Sequence, residues 1–461
     1  MAYREPGVQS VFIASPGGES LIGTIRTPAI VGKGLATYTV TEEVTRSATA
    51  HGSDALAHTA TQIVRVGNYA ETKDYTLTTD YVLTSGAIAW TPTASPAKEP
   101  TANQKYYVTY TYAKVAGDYI PKLFDNMSDV IAEYGPITFS GTTPVLDTTA
   151  YLSMGAQLAF KNGARQVILC QVNDPATATS FDDAFTLLEE EVGGQNPEII
   201  CAILDTLSAT SSPASAYDSG VTYLLAHILK MSSKEFAKER TAHIGMFATA
   251  TPAEIIVKAG AVKNERMLII APTAVCTLSY NGVSADCTVP TNFVACAVAG
   301  LDVSQDVAEP LTRKLLNGFK SLGVTYTKVQ MDSLATAGVT VIKSFAGVLR
   351  IRDGVTTDTT TVNTIEPTVP QIKDYCVRNI RNILDSYVGK KMSGVEKKMQ
   401  ESGNNVLSQI QGETIIEKFS PLVVRRDQTT PTKVKASFAI LPEYGLKWVD
   451  LDFTIDLGLM G

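Results

Sequence analysis

Apolar and polar positions change period along this chain, and the changes mark out its elements. In "DTTAYLSMGAQLAFKNGARQVILCQV", Leu152, Ala156, Ala159 and Phe160 share one helical face and Gly163 suits the helix end. The run "VILCQV" that follows is apolar except for Gln171, as suits a strand buried on both faces. The same helix–strand order recurs in "SFDDAFTLLEEEVGGQNPEIICAILD", "SGVTYLLAHILKMSSKEFAKERTAHIGMFA" and "TPAEIIVKAGAVKNERMLIIAP". Such alternation predicts an α/β layer around a largely parallel sheet. Upstream, "IRTPAIVGKGL" reads as a further buried strand, and "YIPKLFDNMSDVIAEYGP" carries helical signals.

From Tyr38 to about Ala116 the helical period vanishes. "YTLTTDYVLTSGAIAW" and "KYYVTYTYAK" are rich in β-branched and aromatic residues, which fit pleated strands. The segment interrupts the α/β rhythm, so it reads as an inserted all-β unit. After "MDSLATAGVTVIKSFAGVLRIRDG" a helix from Pro370 to about Lys391 places Ile372, Cys376, Ile380, Ile383, Leu384 and Tyr387 at helical spacing. Strands are expected at "GETIIEKF" and "TKVKASFAIL". The expected fold class is therefore α/β plus β and multidomain. An α/β core (21–37 and 117–335) carries an inserted β domain (38–116), and a C-terminal α+β domain (336–445) follows.

The alternation at the two ends predicts strands without an evident partner. Val449, Leu451, Phe453, Ile455 and Leu457 alternate with Asp450, Asp452, Thr454 and Asp456. Near the start, Val8, Ser10 and Phe12 point one way while Gln9, Val11 and Ile13 point the other. Segments 1–20 and 446–461 are thus expected to act as arms that add strands to neighbouring copies. A forward-donating contact of this kind is heterologous and builds rings or helices.

Charge and composition narrow the functions. Lys plus Arg is 39 against 46 acidic residues, a net charge of −7, which excludes a generally basic nucleic-acid binder. "MAYREPGV" lacks the apolar run of an export signal, and no stretch is long and apolar enough to span a bilayer, so assembly in a host cytoplasm without membrane insertion is expected. The six cysteines form no C-x-x-C pair and mostly sit in apolar surroundings, as reduced buried thiols do. His51, His58, His227 and His243 form no metal-binding spacing. "IVGKGLATY" lacks the third glycine and the "GK[ST]" of phosphate loops, and no nucleophile elbow occurs. No catalytic, cofactor or metal residues are assigned.

Several motifs resemble those of contractile-tail sheath proteins of bacteriophages and related injection machines. "YREPGV" is similar to their Pro-Gly-Val opening, and "RTPAIVGKG" to their first strand. "YIPKLFDNMSDVIAEYG", "LAFKNGARQVILCQV" and "LATAGVTVIKSFAGVLRIRDGVTTD" resemble further family stretches. "IRDGVTT" departs by lacking the family's Trp and second Arg, and "NGA" replaces a double glycine. The resemblance implies a structural subunit of a virion tail, without enzymatic activity or cofactor. It implies self-assembly as stacked rings around a tail tube, with baseplate and tail terminator proteins as further partners. Contraction would drive the tube through a target envelope. It implies an innermost C-terminal domain, whose candidate tube-facing charges are Lys373, Arg378, Arg381, Lys390 and Lys391. An α/β enzyme of unknown reaction and a virion adhesin are the alternatives.

Overall fold

The computed structural model describes residues 26–49, 51–70, 72–90, 99–207, 215–391, 393–430 and 432–445. A nine-stranded sheet dominates them. In spatial order its strands are Leu315–Leu316, Val348–Asp353, Val339–Phe345, Met267–Ala271, Thr241–Gly245, Ile199–Ala202, Pro28–Gly32, Val167–Gln171 and Lys122–Phe124. The strands from Val339–Phe345 to Val167–Gln171 run parallel. The rest are antiparallel edge elements.

Helices cover both faces, which is why the central strands read as continuous apolar runs. Tyr151–Lys161 and Thr291–Ser304 pack on one face with Ile30, Leu169, Cys201 and Ile270. Ala178–Leu187, Ala216–Met231, Pro252–Val262 and Lys328–Thr336 cover the other with Val31, Ile200, Ile244 and Ile269. The helix Thr291–Ser304 is buried on nearly every side. It lies so close to Tyr151–Lys161 that a Cβ on Gly300 would overlap the Ala159 carbonyl. No helix among the described residues is long and apolar enough to cross a membrane.

Between strands Pro28–Gly32 and Lys122–Phe124 the chain builds a β unit. Strands Thr37–Thr45, Lys105–Ala113, Ala60–Asn68 and Asp74–Tyr75 form one sheet, and Ser53–Ala55, Ala87–Ala89 and Val82–Thr84 a second. The unit has its own core around Trp90, Tyr106, Tyr110, Ile88 and Val66. Its centre is polar: Asp54 accepts hydrogen bonds from Trp90 Nε1 at 2.7 Å and Tyr106 at 2.8 Å, with Arg46 at 3.5 Å.

Three sequence expectations change. The segment "YIPKLFDNMSDVIAEYGP" is only half helical: Lys122–Phe124 is an edge strand, and Asn126 then caps the helix Met127–Tyr134. The boundary expected at 336 moves downstream, because Val339–Phe345 pairs in parallel with Met267–Ala271, and Val348–Asp353 pairs with it in turn. The stretch "TKVKASFAIL" is not one strand but two, Val434–Ser437 and Ile440–Pro442. The C-terminal unit adds a helix unassigned from sequence, Val395–Gly412, packed on Thr368–Asp385 through Met399, Val406, Leu407 and Ile410.

Candidate functional site: an ionic seam between two domains

Charged residues stand just before the buried runs of the central strands. Arg26 precedes Pro28–Gly32, Glu198 precedes Ile199–Ala202, Glu239 and Arg240 precede Thr241–Gly245, and Glu265 and Arg266 precede Met267–Ala271. The parallel direction gathers these positions at one end of the sheet, where helix Thr368–Asp385 lies across them. The helix is two-faced. Ile372, Cys376 and Ile380 enter the C-terminal core, while Gln371, Asp374, Arg378 and Arg381 recur at intervals of three and four toward the strand ends.

The two sets interlock. Arg26 donates to Glu198 at 3.0 Å, to the Asp302 carbonyl at 2.7 Å and to Gln371 at 2.9 Å, and Gln371 donates to Asp302 at 2.9 Å. Arg378 binds the other oxygen of Glu198. Arg266 grips both oxygens of Asp374 at 2.6 and 2.8 Å. Arg381 binds Glu239 and donates to the Ala237 carbonyl at 2.6 Å. The space left among these groups is about 10 Å³, room for one water.

Burial alone would raise the Glu198 carboxyl, but Arg378 and Arg26 hold it below its ordinary value. For Asp302 burial also opposes ionisation, and Arg26 and His243 outweigh it, bringing the group to about 2. Both carboxylates are thus stabilised as anions inside the protein. Losing one partner of such a pair strands a buried charge, at a cost of about 3–5 kcal/mol.

This end of the sheet is opposite to the one where open α/β folds hold ligands, the carboxyl ends of the strands beside a topological switch point. Here that point falls between Pro28–Gly32 and Ile199–Ala202. Asp205 lies just beyond it, raised to about 7 by burial although Asn292 donates to it at 2.7 Å. Asn292 also accepts from the Gly245 amide at 2.7 Å, so the pair ties strand ends together. The fold brings His243 within 3.3 Å of Asp302 in the layer that holds Cys201. Yet His243 is fully buried, and burial pushes the Cys201 thiol up, away from nucleophilic reactivity. No group of three metal-ligating side chains occurs among the described residues.

A family model described as a domain of unknown function (DUF4815) matches residues 9–141, across the β unit. A tail sheath protein of Mycobacterium phage Bxz1 is 26% identical over 342 residues, which is 72% of this chain and 55% of that protein. The chain therefore spans about half the length of this curated relative. The helical sheath of the anti-feeding prophage, in its contracted state, superposes with a TM-score of 0.54 at 14% identity, over 98% of this chain and 99% of that one. This is the fold of contractile tail sheath proteins. A contracted extracellular injection-system sheath, PVC, matches 73% of the chain and 87% of its own, at a TM-score of 0.52 and 11% identity. The matched proteins are structural sheath subunits rather than enzymes.

Within the sheath fold the expected site residues separate. Arm residues Val8, Ser10, Val11, Phe12 and Ile13, and Val449, Leu451, Phe453, Ile455 and Leu457, lie outside the described residues. Lys373, Lys390 and Lys391 are exposed; Lys373 approaches Glu265 at 3.8 Å, and Lys390 lies over the Tyr387 ring. Arg378 and Arg381 are a correction to the tube-facing set, because both turn into the α/β domain and are neutralised by Glu198 and Glu239. Sequence reading missed the strand-end partners. The usable signal was a charge directly ahead of each buried run in "IRTPAIV", "PEIICA", "ERTAHIG" and "NERMLII".

Proposed function

We propose that this chain is the structural subunit of a contractile sleeve in a virion tail. Copies polymerise in the host cytoplasm as stacked rings around a tail tube. The sleeve shortens to drive the tube through a cell envelope for genome ejection. The observation that carries this reading is the end-to-end likeness to a contracted helical sheath, over 98% of this chain and 99% of the other. A chain within a baseplate structure of the same prophage also matches, which supports the baseplate as a partner. A terminator at the far end belongs to the same proposal.

The ionic seam supports it physically. It ties the α/β and C-terminal units into one body, so that contraction reorients whole subunits while connections between subunits carry the continuity. Those connections are the arms, residues 8–13 and 449–457, donating strands to adjacent C-terminal units. Lys373, Lys390 and Lys391 are the remaining tube-facing charges. The inserted β unit (38–116) sits on the outside of the sleeve.

Electron microscopy of the purified full chain and of a chain ending at residue 445 tests the reading. Sleeves are expected from the full chain only, with the truncated chain folded and unpolymerised. Long sleeves from the truncated chain would remove the C-terminal arm from the mechanism.

A further inference from the structure

Near one edge of the nine-stranded sheet stand two cations without an ion-pair partner among the described residues. Lys343 stands directly opposite Arg350 across an antiparallel pair, and Leu315 stands opposite Arg350 on its other side. Like charges facing each other in a ladder are unfavourable. Arg352 on the same strand finds Asp332 and Asp353. Among the described residues no carboxylate lies within ion-pair distance of Lys343 or Arg350; the Arg350 guanidinium sits 3.8 Å from the centre of the Phe345 ring instead. Burial, and then Arg350, Arg352 and Arg313, hold the Lys343 ammonium below its ordinary pKa, with the Asp353 carboxylate opposing them only in part. Beside these cations Phe345 is 54% exposed, Leu315 54% and Val348 46%. Apolar side chains ringed by unpaired charge have the anatomy of an interface.

The opposite edge has the complementary sign. The turn after helix Ala178–Leu187 rests on edge strand Lys122–Phe124, with Gly193 against Leu123. It presents Glu190, 87% exposed and only loosely engaged by Lys238 at 3.9 Å, and Glu191, which accepts from Asn196 at 3.0 Å; exposed Asp182 and Asp183 stand on the preceding helix. Leu187, 44% exposed, is the apolar element there. Eight strand spacings separate the two edges, roughly 38 Å.

We propose that these edges are the two halves of a head-to-tail contact between copies of this chain, with Lys343 and Arg350 of one subunit seated on Glu190, Glu191, Asp182 and Asp183 of the next. The inference rests on the self-assembling sheath reading and assigns it a lateral contact. Because the two surfaces differ, the contact is heterologous and propagates around a ring or along a helix. Its attraction is screened by salt, so assembly weakens as ionic strength rises.

The test uses the full chain, with assembly followed by sedimentation and electron microscopy. K343E/R350E should raise the concentration needed for assembly by about tenfold or more, with an unchanged melting temperature. Adding D182K/D183K/E190K/E191K to the same chain exchanges both signs and should restore assembly. Carbodiimide treatment of wild-type assemblies, which joins carboxylates to amines in contact, should link Lys343 of one copy to one of the four acidic residues of another. If K343E/R350E assembles at the wild-type concentration, or Lys343 links only to other carboxylates or to none, this contact is overturned and the sheath reading stands. A wild-type chain that stays monomeric at every salt concentration would overturn the sheath reading and this contact together.

Discussion

Replacing Glu198 by Gln probes the seam with almost no change of shape. Glu198 lies between Arg26 and Arg378 with its side chain 10% exposed, and accepts from both guanidiniums. The amide cannot neutralise either, and the repulsion between the arginines is no longer offset. Breaking a buried pair costs about 3–5 kcal/mol. Arg26 keeps Asp302 and Gln371, and the Arg378 side chain is 25% exposed, so the lower end, about 3 kcal/mol, is expected. Urea unfolding, together with hydrogen exchange along Thr368–Asp385, measures the loss where it acts. E190Q, at a side chain 87% exposed, is the control and should change stability by less than about 0.5 kcal/mol. The sign of the pH dependence follows from the depressed carboxyl. Its contribution is complete above the ordinary value of 4.5 and is lost as pH falls through the lower folded value. The variant lacks that contribution, so the two stabilities converge in acid. R378Q added to E198Q should recover part of the loss by removing one stranded charge. A loss for E198Q no larger than the E190Q control, or one that persists unchanged at pH 2, would refute this account.

Asp54→Asn should loosen the β unit alone by about 2–4 kcal/mol, since Trp90, Tyr106 and Arg46 all converge on that carboxylate. Trp90 fluorescence should report the earlier transition, while exchange in the nine-stranded sheet stays unchanged. Asp205 is raised from 3.8 to about 7, so its burial costs stability progressively as pH rises from about 4 to 7. D205N should therefore gain in melting temperature over the wild type across that window, and a pH-independent difference would contradict it. Reversing Lys390 and Lys391 to Glu should weaken co-sedimentation with a tail tube at low salt and leave tube-free sleeves intact. Each exposed pair is worth only about 0.2–1 kcal/mol, so the effect must accumulate over many subunits.

Much of the architecture is local in origin and was legible in the sequence. Runs such as "VILCQV" and "MLIIAP" are short, rich in branched residues and bounded by turns, as strands covered on both faces are, and each helix ahead of them shows its own apolar stripe. The Thr/Tyr-rich strands of the β unit break that rhythm strongly enough to mark an insertion. Tertiary structure decided the rest, because the relevant contacts are remote in sequence. Nothing near Val339 says that it will pair with Ile269, so the domain boundary was drawn too early. A residue such as Arg378 looks the same in sequence whether it faces solvent or a buried carboxylate. Its partner Glu198 lies 180 positions away, and Arg26 a further 172 beyond Glu198. The sheet's parallel direction gathers these strand-end charges on one side, and only then does the polar stripe of Thr368–Asp385 acquire partners. A charge reveals its polarity locally, but whether it is spent inside the molecule or left for a neighbour depends on what the fold sets opposite it.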